Sequence, residues 1–493
     1  MKLKALLRGL ELLVPELVVK GSKEVEISGL SADSRCVAPG HLFIARKGTS
    51  FHGSQFIPQA LRSGAAAIVT DLYDPSCSAS QIIVSYPERL EAVLAEKYYG
   101  SPSKELFVAA VTGSKGKTTV CYLVGHLLNA FGMDSGLIST VETVVAQEHR
   151  DSSLTTHFPI FNHKILREIA SKGGRAAALE ASSHGLEQGR IDRIELDAAI
   201  WTNLYPDHLD FHGSVDKYAE AKRHLFALLD QSKKKRKIAL LNGDDAWCMK
   251  MKKDIASPIW TFGLGEGCDL AASSIEQGVF DLTFDVAFEG QKRRCALPLM
   301  GQFNVYNALG ALGVALFLKI PLQTAVEALG NFPGVPGRMQ SVPNDRGVAI
   351  FVDYAHTGES LQRVLTMLRQ RSRGKIICVF GCGGERDPER RSSMGKAADL
   401  LADTVIVTTD NSRRENPDAI IQQIIHAFQD PRRPIVEPDR KEAIRLAISM
   451  ANPNDIVLIA GKGHEKVQII GQKTIAFCDV SAVEAALQEV GAC

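Results

Sequence analysis

Apolar residues in this chain fall into short continuous runs, each closed by glycine or a polar cluster. They do not form long helical stripes. In the first hundred residues EVEISGL, HLFIA and AAAIVT have strand length and β-branched character. QFIPQALRSGAAAIVT reads as a short helix, a glycine turn and a buried strand, and Gly100 to Ser103 (GSPS) as a linker. At Phe107 the pattern changes. FVAAVTG is a buried strand ending at Gly113, and the helical run TTVCYLVGHLLNAF follows at once, closed by Gly132. RAAALEAS, DAAIWTNL, YAEAKRHLFALLD and KIALLNGDD continue the strand and helix alternation, which predicts a parallel α/β sheet. Asp269 to Pro298 alternates apolar and polar residues and predicts a hairpin. Asn331 to Gly337 (NFPGVPG) reads as a second linker. Beyond it VAIFVDYAH, KIICVFGCGG, TVIVTTDN and DIVLIAGKG begin a second α/β alternation. Sheets of this kind bind ligands at the carboxyl ends of their strands, so the polar tips of these runs are where chemistry is expected.

Composition narrows the function classes. At 493 residues the chain is long enough for two to four domains, and its 45% hydrophobic and 23% charged content is that of a globular protein. A net charge of +1 gives no general attraction to nucleic acid or anionic lipid. The 10 cysteines are scattered singly, and Cys378 and Cys382 have no matching partners, so neither a zinc site nor a disulfide framework is expected. The N-terminus is amphipathic, with Arg8, Glu11 and Glu16, and lacks a signal-peptide pattern. No run approaches the ~20 apolar residues of a membrane span. A cytoplasmic location is expected.

Gly113-Ser114-Lys115-Gly116-Lys117-Thr118-Thr119 lies between a strand and a helix. Glycines let backbone N–H groups curl around an anion, and the helix N-terminus adds partial positive charge. Lys117 is placed to reach the β- and γ-phosphates of a nucleotide, and the Thr118 hydroxyl to sit on Mg²⁺. The longer and commoner form of this loop needs glycine at position 111, which is Val111 here. Two further strand ends carry polar clusters, Glu180 to His184 (EASSH) and Thr202 to Asp210 (TNLYPDHLD). A hydroxyl and one carboxylate are a frequent minimum for Mg²⁺, which makes Glu180 a candidate ligand. His208 is a candidate for a second metal or for holding substrate. Taken alone, Lys222 reads as a surface lysine on an amphipathic helix.

Together these segments resemble the Mur ligase family. The match runs through GSKGKTT, EASSH, TNLYPDHLDFHG, YAEAK followed by LF, LNGDD, GQFNVYNALGA, PGRM, VDYAH and GKGHE, in the family's order from Gly113 to Glu465. SADSRCVAPGHLFIARKG looks like the family's N-terminal uridine-nucleotide domain. The resemblance implies an α/β fold of three domains. These are an N-terminal nucleotide-substrate domain over residues 1–98, a central P-loop ATPase-type parallel sheet over 99–334 and a C-terminal Rossmann-like domain over 335–493. It also implies an ATP-dependent amide ligase. ATP would be held by residues 113–119 with Asn304, Asn307, Arg338 and Asp353. Thr118, Glu180, His208 and Lys222 would serve Mg²⁺, with Lys222 carbamylated by CO₂ into a carboxylate-like ligand. Domain closure would complete the site.

The resemblance further implies the substrates, UDP-N-acetylmuramoyl-L-alanyl-D-glutamate and meso-diaminopimelate. The first would be held by Ser34, Thr155, Thr156, Ser182, Gln188 and Arg190. The second would be held by Arg391, Asp410, Asn411, Ser412, Arg413, Gly461 and Glu465. Asp410-Asn-Ser-Arg413 resembles the DNPR motif of family members that select diaminopimelate. This amino acid differs from lysine by one distal carboxylate, which an arginine grips with two parallel charge-assisted hydrogen bonds. Four positions depart from the family's pattern. Ser412 replaces proline, Gly358 stands where relatives have proline, His157 follows the two threonines, and Phe51-His-Gly53 replaces Asp-Gly. A lysine-adding relative, a dipeptide-adding relative, a folylpolyglutamate synthetase and a non-ligating nucleotide switch are the alternatives. A monomer without nucleic-acid or membrane partners is expected.

Overall fold

The computed structural model describes residues 1–48, 52–278 and 280–491, and Phe51 lies outside them. Sheets of five, 11 and six strands carry the architecture. Contacts divide the chain into two compact units. One holds Met1–Ser273 with Asp285–Arg294 and Tyr306–Leu329; the other holds Ser274–Phe284, Cys295–Val305 and Gly330–Cys493.

In the first unit the N-terminal sheet has the order Val18–Lys20, Ser80–Ile83, Ala67–Thr70, His41–Ile44, Gly29–Ser31, parallel except at the first pair. Leu42, Ile44, Val69 and Ile82 fill its core. The Gly100 to Ser103 segment is not the free linker its composition suggested. Ser103 is fully buried, and its hydroxyl accepts the Glu195 N–H at 3.0 Å. Arg167, from the helix Pro159–Ser171, donates to the Tyr99 and Gly100 carbonyls at 2.7 and 2.9 Å. These bonds tie the end of the N-terminal region to the central one, which is why the two fall in one unit.

The core of the central sheet is five parallel strands in the order Ile238–Asn242, Ala198–Trp201, Phe107–Thr112, Ala176–Glu180, Ser135–Ile138. They are buried from end to end or nearly so, which explains continuous apolar runs rather than alternation. Register decides what meets at the carboxyl edge. Glu180 pairs with Val111, and Trp201 with Thr112, so the phosphate loop, Glu180 and Thr202 all emerge together. Residues 269–298 form three strands, Leu270–Gln277, Leu282–Phe288 and Gln291–Leu297, instead of one hairpin. The turn between the last two is Glu289-Gly290, both at positive φ, and nothing in the apolar alternation marks it.

The second unit is built on strands in the order Gln340–Ser341, Ala349–Asp353, Ile456–Ala460, Ile376–Phe380, Thr404–Val407, Ile435–Val436. The four inner strands are parallel, and Asp353 pairs with Ala460 and Phe380 with Val407. Asp353, Gly461 and the segment after Val407 therefore leave the sheet at one edge. In the second expected linker Phe332 and Val335 are buried. Gly337, at φ +63°, lets the chain pass the Gly463–His464 tip so closely that a Cβ would lie 2.0 Å from the His464 nitrogen.

A fully buried ion pair fixes the last helix, Asp479–Gly491, beside this edge. Arg440 donates to the two Asp479 oxygens at 2.7 and 2.9 Å and to the Ala460 carbonyl at 3.0 Å. Asp479→Asn leaves the guanidinium buried without a counter-charge. The expected cost is about 3–5 kcal/mol, read as a lower urea midpoint for the transition of this unit.

Candidate functional site

The phosphate loop starts from two glycine conformations. Gly113 has φ +142° and Gly116 φ +87°. A Cβ at Gly113 would meet Thr202 Oγ1 at 1.9 Å, and one at Gly116 would meet Asn307 Oδ1 at 2.4 Å. Only glycine fits either place, and the second contact brings Asn307 against the loop. Neighbouring strand ends brace the loop. Thr202 donates to the Lys115 carbonyl at 2.6 Å, and the Lys115 N–H donates to Asn203 Oδ1 at 2.9 Å. Ser114 Oγ donates to the Tyr205 carbonyl at 3.0 Å and lies 3.0 Å from the Tyr218 hydroxyl. Burial pushes the Tyr218 phenol up to about 12, so it stays protonated.

Lys117, the first residue of the helix Lys117–Ala130, curls back and donates to the Gly113 and Ser114 carbonyls at 2.8 and 3.3 Å. Lys222 is 1% exposed and donates to the same Gly113 carbonyl at 2.9 Å, with its ammonium 4.3 Å from the centre of the Tyr218 ring. It is not the surface lysine its helical position suggested. The helix Val215–Gln231 turns this residue onto the sheet together with Tyr218, Leu225 and Phe226. Burial, and then the charge of Lys117, hold its pKa well below the ordinary lysine value.

Thr118 Oγ1 donates to Glu180 Oε1 at 2.9 Å. The Thr140 N–H reaches the same oxygen at 2.7 Å, and the Thr140 hydroxyl donates to Glu180 Oε2 at 3.1 Å. Hydroxyl and carboxylate oxygens are the hard donors that Mg²⁺ takes, so Thr118 and Glu180 fit the ion. His208, at φ +53°, is half exposed. Its ring contacts are with His184 at 4.9 Å and Tyr218 at 6.2 Å, which places it on the Tyr218 side of the cluster.

The candidate peptide-binding residues surround Glu180. The Thr140 and Thr155 hydroxyls lie 3.0 Å apart, and Thr156 Oγ1 donates to the Glu180 carbonyl at 2.9 Å. Thr156 also accepts the Ser182 N–H, and Ser182 in turn caps the helix Ser183–Glu187. Arg190 donates to the Thr156 carbonyl at 2.7 Å and to Gln188 Oε1 at 2.8 and 3.0 Å. His157 stacks on Phe161 at 4.0 Å, and burial lowers its pKa to about 4, so it adds no charge here. Ser34 stays in the N-terminal region, where it donates to Gln59 Oε1 at 2.8 Å.

The second unit carries its own polar edge. Burial raises the Asp353 carboxyl, which accepts the Met339 and Ala355 N–H groups at 2.7 and 2.8 Å. Arg338 lies over the Tyr354 ring at 4.9 Å, and Asn304 donates to the Met300 carbonyl at 2.7 Å. Lys462 is fully buried and joins three acceptors, Asn411 Oδ1 at 3.1 Å, Glu465 Oε2 at 2.8 Å and the Val467 carbonyl at 2.7 Å. Asn411 also donates to Glu465 at 2.7 Å. Gly461, at φ +113°, sits where a Cβ would be 2.8 Å from Asp410 Oδ2.

Arg413 is held at φ +51° by its N–H to the Ile469 carbonyl at 3.0 Å, and its guanidinium donates to the Gly384 carbonyl at 2.6 Å. Ser412 donates its N–H to the Asp410 carbonyl at 3.0 Å, a bond that the motif's proline could not make. Gly358 packs against Ser393 and begins a helix capped by Thr357 and Ser360. Arg391 is 3% exposed and gripped by Glu415 at 2.8 and 2.9 Å. Sequence reasoning missed Thr140, Glu415 and the bonding role of Lys462. Lys462 stands inside the GKGHE run; Thr140 has no signal but its place after a strand.

Three family models match. The Mur ligase family catalytic domain matches residues 26–98, the Mur ligase middle domain 111–315 and the Mur ligase glutamate ligase domain 337–463. A UDP-N-acetylmuramoyl-L-alanyl-D-glutamate–2,6-diaminopimelate ligase of Listeria monocytogenes is 37% identical over 481 residues, covering 97% of each chain. The protein of that name from Chlamydia caviae is 38% identical over 491 residues, covering 99% of each. A solved structure of a ligase of that name superposes with a TM-score of 0.70 at 30% identity, covering 99% of each chain. A Mycobacterium tuberculosis folylpolyglutamate synthase, at 17% identity and a TM-score of 0.61, shares the fold over 80% of this chain. With its phosphate loop, strand-end carboxylate and buried lysine in place, and with models of all three regions matched in order, this chain belongs to the Mur ligase family.

Proposed function

We propose that the chain joins meso-diaminopimelate to UDP-N-acetylmuramoyl-L-alanyl-D-glutamate, with ATP cleaved to ADP and phosphate. The observation that carries the reading is the group at the phosphate loop. Thr118 and Glu180 bond to each other, and beside them Lys117 and a buried Lys222 share one carbonyl. Relatives that match nearly the whole chain carry that activity in their names. Among the described residues no helix is long and apolar enough to cross a membrane. The reading includes domain boundaries near residues 98 and 334 and the site residues set out above.

The chemistry follows from the poor leaving group of a carboxylate. A carboxylate oxygen of the glutamyl substrate attacks the γ-phosphorus of ATP, ADP leaves, and an acyl phosphate forms. The loop N–H groups and Lys117 hold the phosphates through this transfer, and Asn307 flanks the loop. The amine of diaminopimelate then attacks the acyl carbon, phosphate leaves with the bonding electron pair, and the amine loses a proton. Thr118 and Glu180 would hold Mg²⁺, which when bound offsets the phosphate charge. Thr155, Thr156, Ser182, Gln188 and Arg190 orient the peptide beside Glu180, and Ser34 the nucleotide end. Arg413 takes the distal carboxylate of diaminopimelate, with Asn411, Gly461 and Glu465 on its polar groups.

Lys222 fits carbamylation. A lysine nitrogen attacks CO₂ only when neutral, and burial depresses this one's pKa. The product carries a negative charge next to the Lys117 ammonium and would add a carboxylate ligand near His208.

Two outcomes test the reading. Phosphate release with the nucleotide-peptide present should require meso-diaminopimelate. Arg413→Ala should raise the KM for it about 10- to 100-fold, the worth of a charge-assisted bidentate contact. Equal turnover of L-lysine by the native chain would remove the carboxylate grip and leave a lysine-adding ligase. Lys222→Ala should lose activity by roughly 100-fold or more, and ¹³C-labelled bicarbonate should give a carbamate resonance that this variant lacks. Because falling pH protonates the amine, the resonance and the activity should decline together on the acid side. A fully active Lys222→Ala protein would end the carbamate reading.

A further inference from the structure

Arg190, already placed beside the peptide, shares an aromatic ring in the first unit with a second cation, Arg46, that has no role in the reaction described so far. Arg46 follows the strand His41–Ile44 of the N-terminal sheet, and its guanidinium lies 3.6 Å from the centre of the Phe158 ring. Arg190, from the central region, lies 4.1 Å from the centre of the same ring. Phe158 itself comes two residues after Thr156. The two guanidiniums are thus within about one Debye length of each other at physiological salt, close enough to repel. Their shared counter-charge is weak. Glu91 is 2% exposed and meets Arg46 only at 3.4 Å, and burial favours the uncharged form of its carboxyl.

Arg190 spends its donors on Gln188 and the Thr156 carbonyl, both neutral. Two stacked cations that share a single carboxylate, Glu91, leave a local positive excess at the junction of the N-terminal and central regions. Such an excess costs free energy unless an anion settles on it.

We propose that Arg46, stacked with Arg190 on Phe158, is a second cationic binding point for the acidic substrate, contacting a carboxylate or phosphate of the nucleotide-linked peptide. The inference rests on the ligase reading above, because it takes its ligand from it. The aromatic ring pre-orders both guanidiniums, so little rotamer freedom is lost when the anion arrives. Arg46 is a binding residue contributed by the N-terminal sheet to a subsite whose other members are central. It therefore couples recognition of the nucleotide end to placement of the peptide.

The test is calorimetric binding of the full chain to UDP-N-acetylmuramoyl-L-alanyl-D-glutamate at two salt concentrations, beside UDP-N-acetylglucosamine, which keeps the diphosphate and has no carboxylate. Arg46→Met should weaken binding of the first about tenfold and flatten its salt dependence, with the KM values for ATP and amino acid unchanged. Arg46→Lys keeps the charge and should retain the salt dependence. A loss seen with both nucleotides assigns the contact to the diphosphate; a loss confined to the glutamyl compound assigns it to the peptide carboxylates. Unchanged binding by Arg46→Met overturns the proposal alone. So does an Arg46→Lys protein as weak as Arg46→Met with an equally lowered melting temperature, since only the packing would then matter. A native chain that binds neither nucleotide overturns the ligase reading and this proposal together.

Discussion

One backbone carbonyl organises the catalytic half of the first unit. The Gly113 oxygen accepts from Lys117 at 2.8 Å and from Lys222 at 2.9 Å, and it can do so only because Gly113 adopts a conformation closed to side chains. Two ammonium groups on one acceptor repel, and the buried one yields its proton more readily. Two lysine side chains converge in this way on one point at the carboxyl edge of the sheet. The Thr202 side chain, packed where a Gly113 Cβ would be, ties this geometry to the next strand end.

The same physical device recurs in the second unit with different chemistry. Parallel strands again deliver polar residues to one edge, and a buried lysine again gathers them. Lys462 differs from Lys222 because it has a carboxylate partner, Glu465, at 2.8 Å. Bonded in this way it fixes Asn411 and Glu465 relative to each other. The two buried lysines thus differ in their acceptors, a carboxylate for Lys462 and a backbone carbonyl for Lys222. The sequence context of the two residues does not show this difference, since each lies among small and polar neighbours.

Departures from the family's pattern are absorbed locally. Ser412 gains a backbone hydrogen bond in place of proline's rigidity, and Gly358 makes room for Ser393 while Thr357 and Ser360 cap its helix. Arg391 is committed to Glu415, so its most direct contribution is to hold the loop that carries Glu415 and Arg413. Glu415 also accepts the Glu385 N–H, which joins that loop to the segment after Gly384.

The sequence alone determined the sheet order of events: apolar runs of strand length, glycine at the two positive-φ loop positions, and polar residues just past each strand. These are local consequences of burial and backbone freedom, so they are written locally. It also placed Thr118 at a helix start and Glu180 at a strand end, although 62 positions separate them. What it could not determine was anything set by register or by the facing of a helix. Lys222 looked solvated because helical spacing does not say which face meets the sheet. Thr140 and Glu415 were silent because their partners are remote in sequence. The Gly100 to Ser103 segment passed for a linker because turn composition does not reveal what packs on it. Arg46, Phe158 and Arg190 lie far apart along the chain and become one charge cluster only when the N-terminal sheet packs against the central region. Burial, like-charge proximity and shared acceptors are properties of the assembled chain, and tertiary structure alone decided them.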